Sequence, residues 1–124
     1  MYGKKIVVSL LAWSTLAGAH GPEFSGARAL EYTRRAVAFG PRPPGSPAIR
    51  KLQAYILAQL KQRNCAVMED SFTARTPLGP IAMKNIVARF PGRSGRAVAL
   101  SGHYDTKAMP GIHFVGADDG GSST

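Results

Sequence analysis

The chain has 124 residues, enough for one small domain, with a formal net charge of +9 and a single cysteine, Cys65. One cysteine excludes a disulfide framework within the chain. The basic balance suits acidic partners, but the ten arginines are scattered with no block longer than two and do not interleave with aromatics, so no nucleic-acid partner is expected.

Residues 1–19 have the layout of a secretory signal peptide. Lys4 and Lys5 give a positive start, and Ile6 to Ala17 is an apolar stretch interrupted only by Ser and Thr. Ala17-Gly18-Ala19 offers the small residues a signal peptidase accepts, which places cleavage after Ala19. As a helix the stretch reaches roughly 18 Å, short of the ~30 Å hydrocarbon core, so a retained anchor is not expected. The mature chain, 20–124, is expected to be periplasmic or secreted, with no stable membrane association, and to carry a charge of +7 once Lys4 and Lys5 are gone. In an oxidising compartment Cys65 is expected either buried and inert or paired with a cysteine beyond Thr124.

From Ser25 to Phe39 the pattern predicts a helix, capped by Ser25, with Ala27, Leu30 and Val37 on one stripe and Gly40 at its end. The proline-rich run Gly40 to Pro47 predicts a stiff ordered loop. It closes as a helix start, with Ser46 as cap and Pro47 in the first helical position. The second helix runs to about Arg63, with Ile49, Leu52, Ile56 and Leu60 as its apolar seam and Asn64 as a left-handed stop.

The period then changes. Alternation predicts a strand from Ala66 to Arg75, a turn at Thr76–Pro80, and a second strand from Met83 to Phe90 with Ile86, Ala88 and Phe90 on one face. After a Pro/Gly loop, Ala97-Val98-Ala99-Leu100 is apolar on both faces, the pattern of a strand inside a covered sheet. Two helices followed by three strands predict an α/β sandwich with a mixed β-sheet.

The residues that carry chemistry follow that third strand. Gly102-His103-Tyr104-Asp105-Thr106-Lys107 comes first, then Phe114-Val115-Gly116-Ala117-Asp118-Asp119-Gly120-Gly121. In open α/β sheets, sites form at the carboxyl ends of strands. His103 and Asp105, two apart on an extended segment, are expected on one side, with Tyr104 facing the core. Asp105 either acts on the site itself or holds the imidazole in one tautomer, as carboxylates do for metal-bound His. Adjacent Asp118 and Asp119 repel one another unless a cation or donors offset them, and the flanking glycines free the backbone. His113 is expected in a loop. Two or three ligands are present, where a catalytic zinc site uses three and an open position.

These motifs, together with Gly40–Pro47, Thr76-Pro77-Leu78-Gly79 and Asn85-Ile86, resemble the zinc aminopeptidase and glutaminyl cyclase family in order and spacing. Lys107 and the Phe114-Val115 pair lean toward the glutaminyl-peptide cyclotransferase branch. The resemblance implies a three-layer sandwich with a central mixed β-sheet, of the zinc-exopeptidase (phosphorylase/hydrolase-like) type, of which residues 20–124 form the amino-terminal part. It implies Asp119 as zinc ligand, with Asp118 as its neighbour. His103 is a second metal ligand in two-zinc aminopeptidases and a near neighbour in single-zinc cyclases, and Asp105 is the catalytic candidate. The remaining ligands and a catalytic Glu are expected beyond Thr124, so the chain alone is expected to be inactive and to bind zinc poorly.

Three activities remain to be told apart. The first is zinc-dependent cyclisation of N-terminal Gln to pyroglutamate with release of ammonia. The second is hydrolysis of N-terminal residues by a zinc aminopeptidase, and the third is a binding module that has lost the metal. Peptide or protein N-termini are the expected substrates, and a monomer the expected state.

Overall fold

The computed structural model describes residues 23–118. The signal segment 1–19, His20 and Asp119 lie outside the described residues. The element order is α1 (Gly26–Ala38), α2 (Pro47–Leu60), β1 (Ala66–Thr76) and β2 (Gly79–Arg89).

Both helices start where side-chain caps are available. The Ser25 hydroxyl accepts from the Arg28 N–H at 3.3 Å, and the Ser46 hydroxyl accepts from the Ile49 N–H at 3.1 Å, with Pro47 opening α2. Gly40 follows α1 at φ 77°, a left-handed conformation that a Cβ disfavours. The covered stripe of α1 differs from expectation. Ala36 is fully buried and Ala29 and Thr33 are half-buried, whereas Ala27 is exposed and Leu30 retains 49% of its surface. Of the expected stripe, Val37 alone is half-buried. Asn64 is not a left-handed stop, since no residue other than glycine has positive φ among the described residues. Instead α2 ends at Leu60, and the Gln62 and Arg63 N–H groups close a last tight turn on the carbonyls of Gln59 and Leu60.

The helices meet through Phe39 and Tyr55, whose ring centroids lie 6.0 Å apart at a tilted angle, and through Arg63, which donates to the Tyr32 hydroxyl at 3.1 Å. Ile49 and Leu52, the first half of the expected α2 seam, are buried, while Ile56 and Leu60 are half-covered.

β1 and β2 form an antiparallel hairpin, paired from Ala66↔Arg89 to Thr76↔Gly79, so Pro77-Leu78 is its loop. Thr76 closes it: its hydroxyl donates to the Gly79 carbonyl at 2.8 Å and accepts from the Leu78 N–H. β2 therefore begins four residues before the predicted Met83. Lys84 pairs with Glu69 at 2.5 Å, and the Asn85 amide donates to Asp70 at 3.2 Å, both across the hairpin.

The described residues thus hold helices and a two-stranded antiparallel sheet, consistent with an α/β fold. The strand expected over Ala97–Leu100 is not formed among them: the segment pairs with no strand, and Val98 and Leu100 stay 90% and 96% exposed. Strand character there depends on neighbours that supply hydrogen bonds and apolar cover. No helix among the described residues is long and apolar enough to cross a membrane.

Tyr104 joins the layers. Its hydroxyl donates to the Lys84 carbonyl at 2.5 Å and accepts from the Gln53 amide at 3.0 Å, so one phenol links α2, β2 and the segment after residue 100. Burial is the main influence raising its pKa above 10, and the Gln53 hydrogen bond opposes it.

Two outcomes follow for the full-length protein. Ser46→Ala removes the cap of α2 and lowers stability by about 1 kcal/mol in urea unfolding, with little change in m-value. Because the folded state holds the Tyr104 proton more tightly than the unfolded chain, stability declines as pH rises above about 10, through the raised folded pKa. Tyr104→Phe, compared with wild type across that range, removes this part of the alkaline loss.

Candidate functional site

The segment after Leu100 is held from three sides. Tyr104 anchors it to α2 and β2 as described. Thr106 is buried and exchanges two hydrogen bonds with Arg42: its N–H donates to the Arg42 carbonyl at 3.1 Å, and its hydroxyl accepts from the Arg42 N–H at 2.7 Å. The Arg42 side chain, fully buried, reaches further. Nε donates to the Tyr104 carbonyl at 3.2 Å, while Nη1 donates to the Gly40 carbonyl at 3.0 Å and the Val115 carbonyl at 2.9 Å. One guanidinium therefore binds the proline-rich loop, the His-x-Asp segment and the start of the Gly-Ala-Asp turn. Burial lowers the Arg42 pKa, and the charge of Asp105 pulls it back up.

His103 and Asp105 lie on the same side. His103 Nδ1 is 3.2 Å from Asp105 Oδ1 and 3.2 Å from the Asp105 backbone carbonyl, with both side chains partly exposed. An Nδ1–H directed at the carboxylate fixes the tautomer in which Nε2 carries the lone pair, the arrangement seen for metal-bound histidines. Tyr104, between them, turns inward, as alternation requires. The turn that leads to the acidic pair starts at Gly116, which is buried at φ 55°; Ala117 and Asp118 then form an exposed turn. His113 sits in an exposed loop, where Ile112 N–H donates to the Met109 carbonyl. Cys65 is half-buried, with Sγ 3.6 Å from the Leu60 carbonyl.

Imidazole and carboxylate are the donor types of a zinc site of the catalytic kind. In number the described residues fall short, since no group of three or more His, Cys, Asp or Glu among them could hold a metal ion. Of the two expected ligands, His103 is described and Asp119 lies outside the described residues; Asp118, expected only as its neighbour, ends the described turn. A cleft of about 180 Å³, bordered by Pro44, Ile49, Gln53, Lys84, His103 and Asp105, opens beside the pair. A second hollow of about 360 Å³ adjoins it and shares Ile49, Gln53, Phe72 and Lys84.

Sequence reasoning missed Arg42, grouping it with the scattered surface arginines. Its signal was its position: a lone long cation between prolines, in a loop too stiff to swing it into solvent, two residues after a left-handed glycine.

Residues 85–124 match the family model for Peptidase family M28. The chain is 38% identical over 82 residues to a Bos taurus glutaminyl-peptide cyclotransferase-like protein, covering 63% of this chain and 21% of that protein. It thus spans about a fifth of the length of the curated relatives it matches. Among solved structures, the Acidobacteriales bacterium glutaminyl cyclase superposes with a TM-score of 0.77 at 36% identity, over 90% of this chain and 40% of that one. A zinc-dependent exopeptidase from Parabacteroides distasonis gives a TM-score of 0.72 at 29% identity, over 82% and 38%. By sequence and backbone alike, the chain is similar to glutaminyl-peptide cyclotransferases and, more broadly, to proteins of Peptidase family M28.

Proposed function

We propose that the protein to which this chain belongs is a zinc-dependent glutaminyl-peptide cyclotransferase. The observation that carries the reading is the binding of Tyr104 and Val115, through one guanidinium, into a single cluster: it brings the His103–Asp105 pair beside the turn that leads to Asp119. Likeness to glutaminyl cyclases over most of the chain supports it.

In this reading the α-amine of an N-terminal Gln forms a C–N bond to its own side-chain amide carbon. The bond to the amide nitrogen breaks, and the proton lost by the amine leaves with ammonia. The attack is intramolecular, so the site has to orient the substrate rather than bring in a second reactant. Asp119 and, in a two-metal arrangement, His103 would hold zinc. Bound there, zinc supplies Lewis-acid polarisation of the amide carbonyl. Asp105 keeps the His103 proton on Nδ1, and Tyr104 fixes the height of both above α2. Residues 1–19 act as an export signal, so N-terminal sequencing of the exported protein should start at His20.

The second reading is a zinc aminopeptidase, favoured by the Peptidase family M28 match and by the exopeptidase superposition. The two differ in nucleophile, the substrate's amine against water.

Four measurements on the full-length protein test the assignment. Ammonia release from a Gln-initiated peptide should exceed hydrolysis of an aminoacyl anilide, and the reverse preference selects the peptidase. Chelation should abolish turnover and zinc should restore it. Asp119→Ala should lower kcat/KM by at least about 100-fold, more than loss of a residue that only supports a ligand; retained turnover removes Asp119 from the site. His103→Ala should stay within about tenfold of wild type for a single-metal cyclase, and fall on the order of 100-fold or more where His103 ligates a second ion.

A further inference from the structure

Arg42 is among the largest fully buried side chains of the described residues, with no direct salt bridge among them and only the nearby charge of Asp105 to favour its own. An isolated buried charge is unfavourable. Its compensation comes from three backbone carbonyls, those of Gly40, Tyr104 and Val115. Tyr104 and Val115 are eleven positions apart, and the chain between them runs through the mostly exposed loop of Lys107 to His113. Tyr104 is flanked by His103 and Asp105, while Val115 precedes the buried Gly116. Each carbonyl therefore sits one residue from a part of the candidate site.

We propose that Arg42 is a positioning residue for that site. By holding the Tyr104 and Val115 carbonyls at once, its guanidinium sets the separation between the His103–Asp105 pair and the Gly116–Asp118 turn. The role needs arginine. Nε and Nη1 lie on one rigid plane and donate in fixed, diverging directions, whereas a lysine is a point charge on a flexible stem. Nη2, buried without a hydrogen-bond partner among the described residues, is held inside because the other two nitrogens are committed. The guanidinium's hydrogen bonds to this region go to backbone carbonyls, so its hold on the loops runs through the backbone, beside the charge of nearby Asp105.

The chemistry attributed to the site rests on the cyclotransferase reading, but the tether itself does not. The test therefore pairs a metal-independent measurement with a catalytic one, in the full-length protein. Arg42→Lys and the smaller, uncharged Arg42→Gln are compared with wild type by amide hydrogen exchange. Exchange should rise at least about tenfold in both 102–106 and 114–118 while the hairpin 66–89 stays as in wild type. In the same variants kcat should fall about 10–100-fold and zinc affinity by a similar factor, the range for residues that orient metal ligands, with KM changed less than about threefold. A shifted visible spectrum of the cobalt-substituted protein should accompany the loss. Arg35→Ala, which removes an exposed ion pair on α1, should match wild type throughout.

Unchanged exchange in both loops, or a rise that spreads equally over the hairpin and helices, overturns the proposal, the second outcome making Arg42 a stability residue only. Wild-type protein that neither binds zinc nor releases ammonia sinks the cyclotransferase reading instead, and the exchange comparison still decides the tether. If Arg42→Lys does not fold, Arg42→Gln carries the comparison, because its single amide reaches one carbonyl and not both.

Discussion

A guanidinium buried among carbonyl oxygens is the constraint on which the described structure depends. A buried charge is tolerated where its donors find acceptors, as Nε and Nη1 do here, and backbone carbonyls serve only if their segments stay in place. Arg42 and the three segments it binds therefore hold one another: the loop after Gly40 keeps the guanidinium inside, and the guanidinium keeps residues 104 and 115 against that loop. The paired bonds between Arg42 and Thr106 add a backbone link at the same point. Dismantling any part strands polar groups in the others, each at about 1–3 kcal/mol.

Among the described residues only Ala36, Ile49 and Leu52 are buried hydrophobic side chains, while Met68, Phe90, Val98 and Leu100 lie open. The arrangement of loops on helices is accordingly set by directional contacts. Tyr104 bridges Gln53 and Lys84, and Arg42 bridges Gly40, Tyr104 and Val115. Hydrogen bonds fix distance and angle where apolar contact fixes only proximity, and a site that must bring an imidazole and carboxylates to one point depends on that directionality.

What the sequence made legible was local. Ser25, Ser46 and Pro47 declare helix starts because capping is settled within four residues, and the hairpin follows from alternation around Thr76–Gly79. The His-x-Asp geometry was legible for the same reason: two residues on an extended backbone share a side whatever surrounds them. Non-local features were not. The α1 stripe was read as Ala27, Leu30 and Val37, but of these only Val37 is half-covered, and the covered side also takes in Ala29, Thr33 and Ala36. Ala97–Leu100 reads as a strand, yet strand pairing belongs to the neighbours as much as to the segment. Arg42 was invisible because arginine is ordinarily a surface residue, and only the fold shows which carbonyls turn inward to receive it.

The loop between the two halves of the candidate site can be understood from the same tether. Closing a flexible loop carries an entropic penalty that grows only logarithmically, about 0.6 kcal/mol for each doubling of length. With both ends gripped by one rigid group, the distance across the base is set by the guanidinium and not by the residues between. Lys107 to His113 are mostly exposed, and the turns there are made locally, by Ile112 to Met109 and Phe114 to Ile112. Their composition is therefore uncoupled from the separation of His103 and Gly116. This explains how a glycine- and proline-containing excursion can interrupt a site that demands ångström accuracy. The residue that secures the accuracy lies some sixty positions earlier, in the stiff loop between the helices.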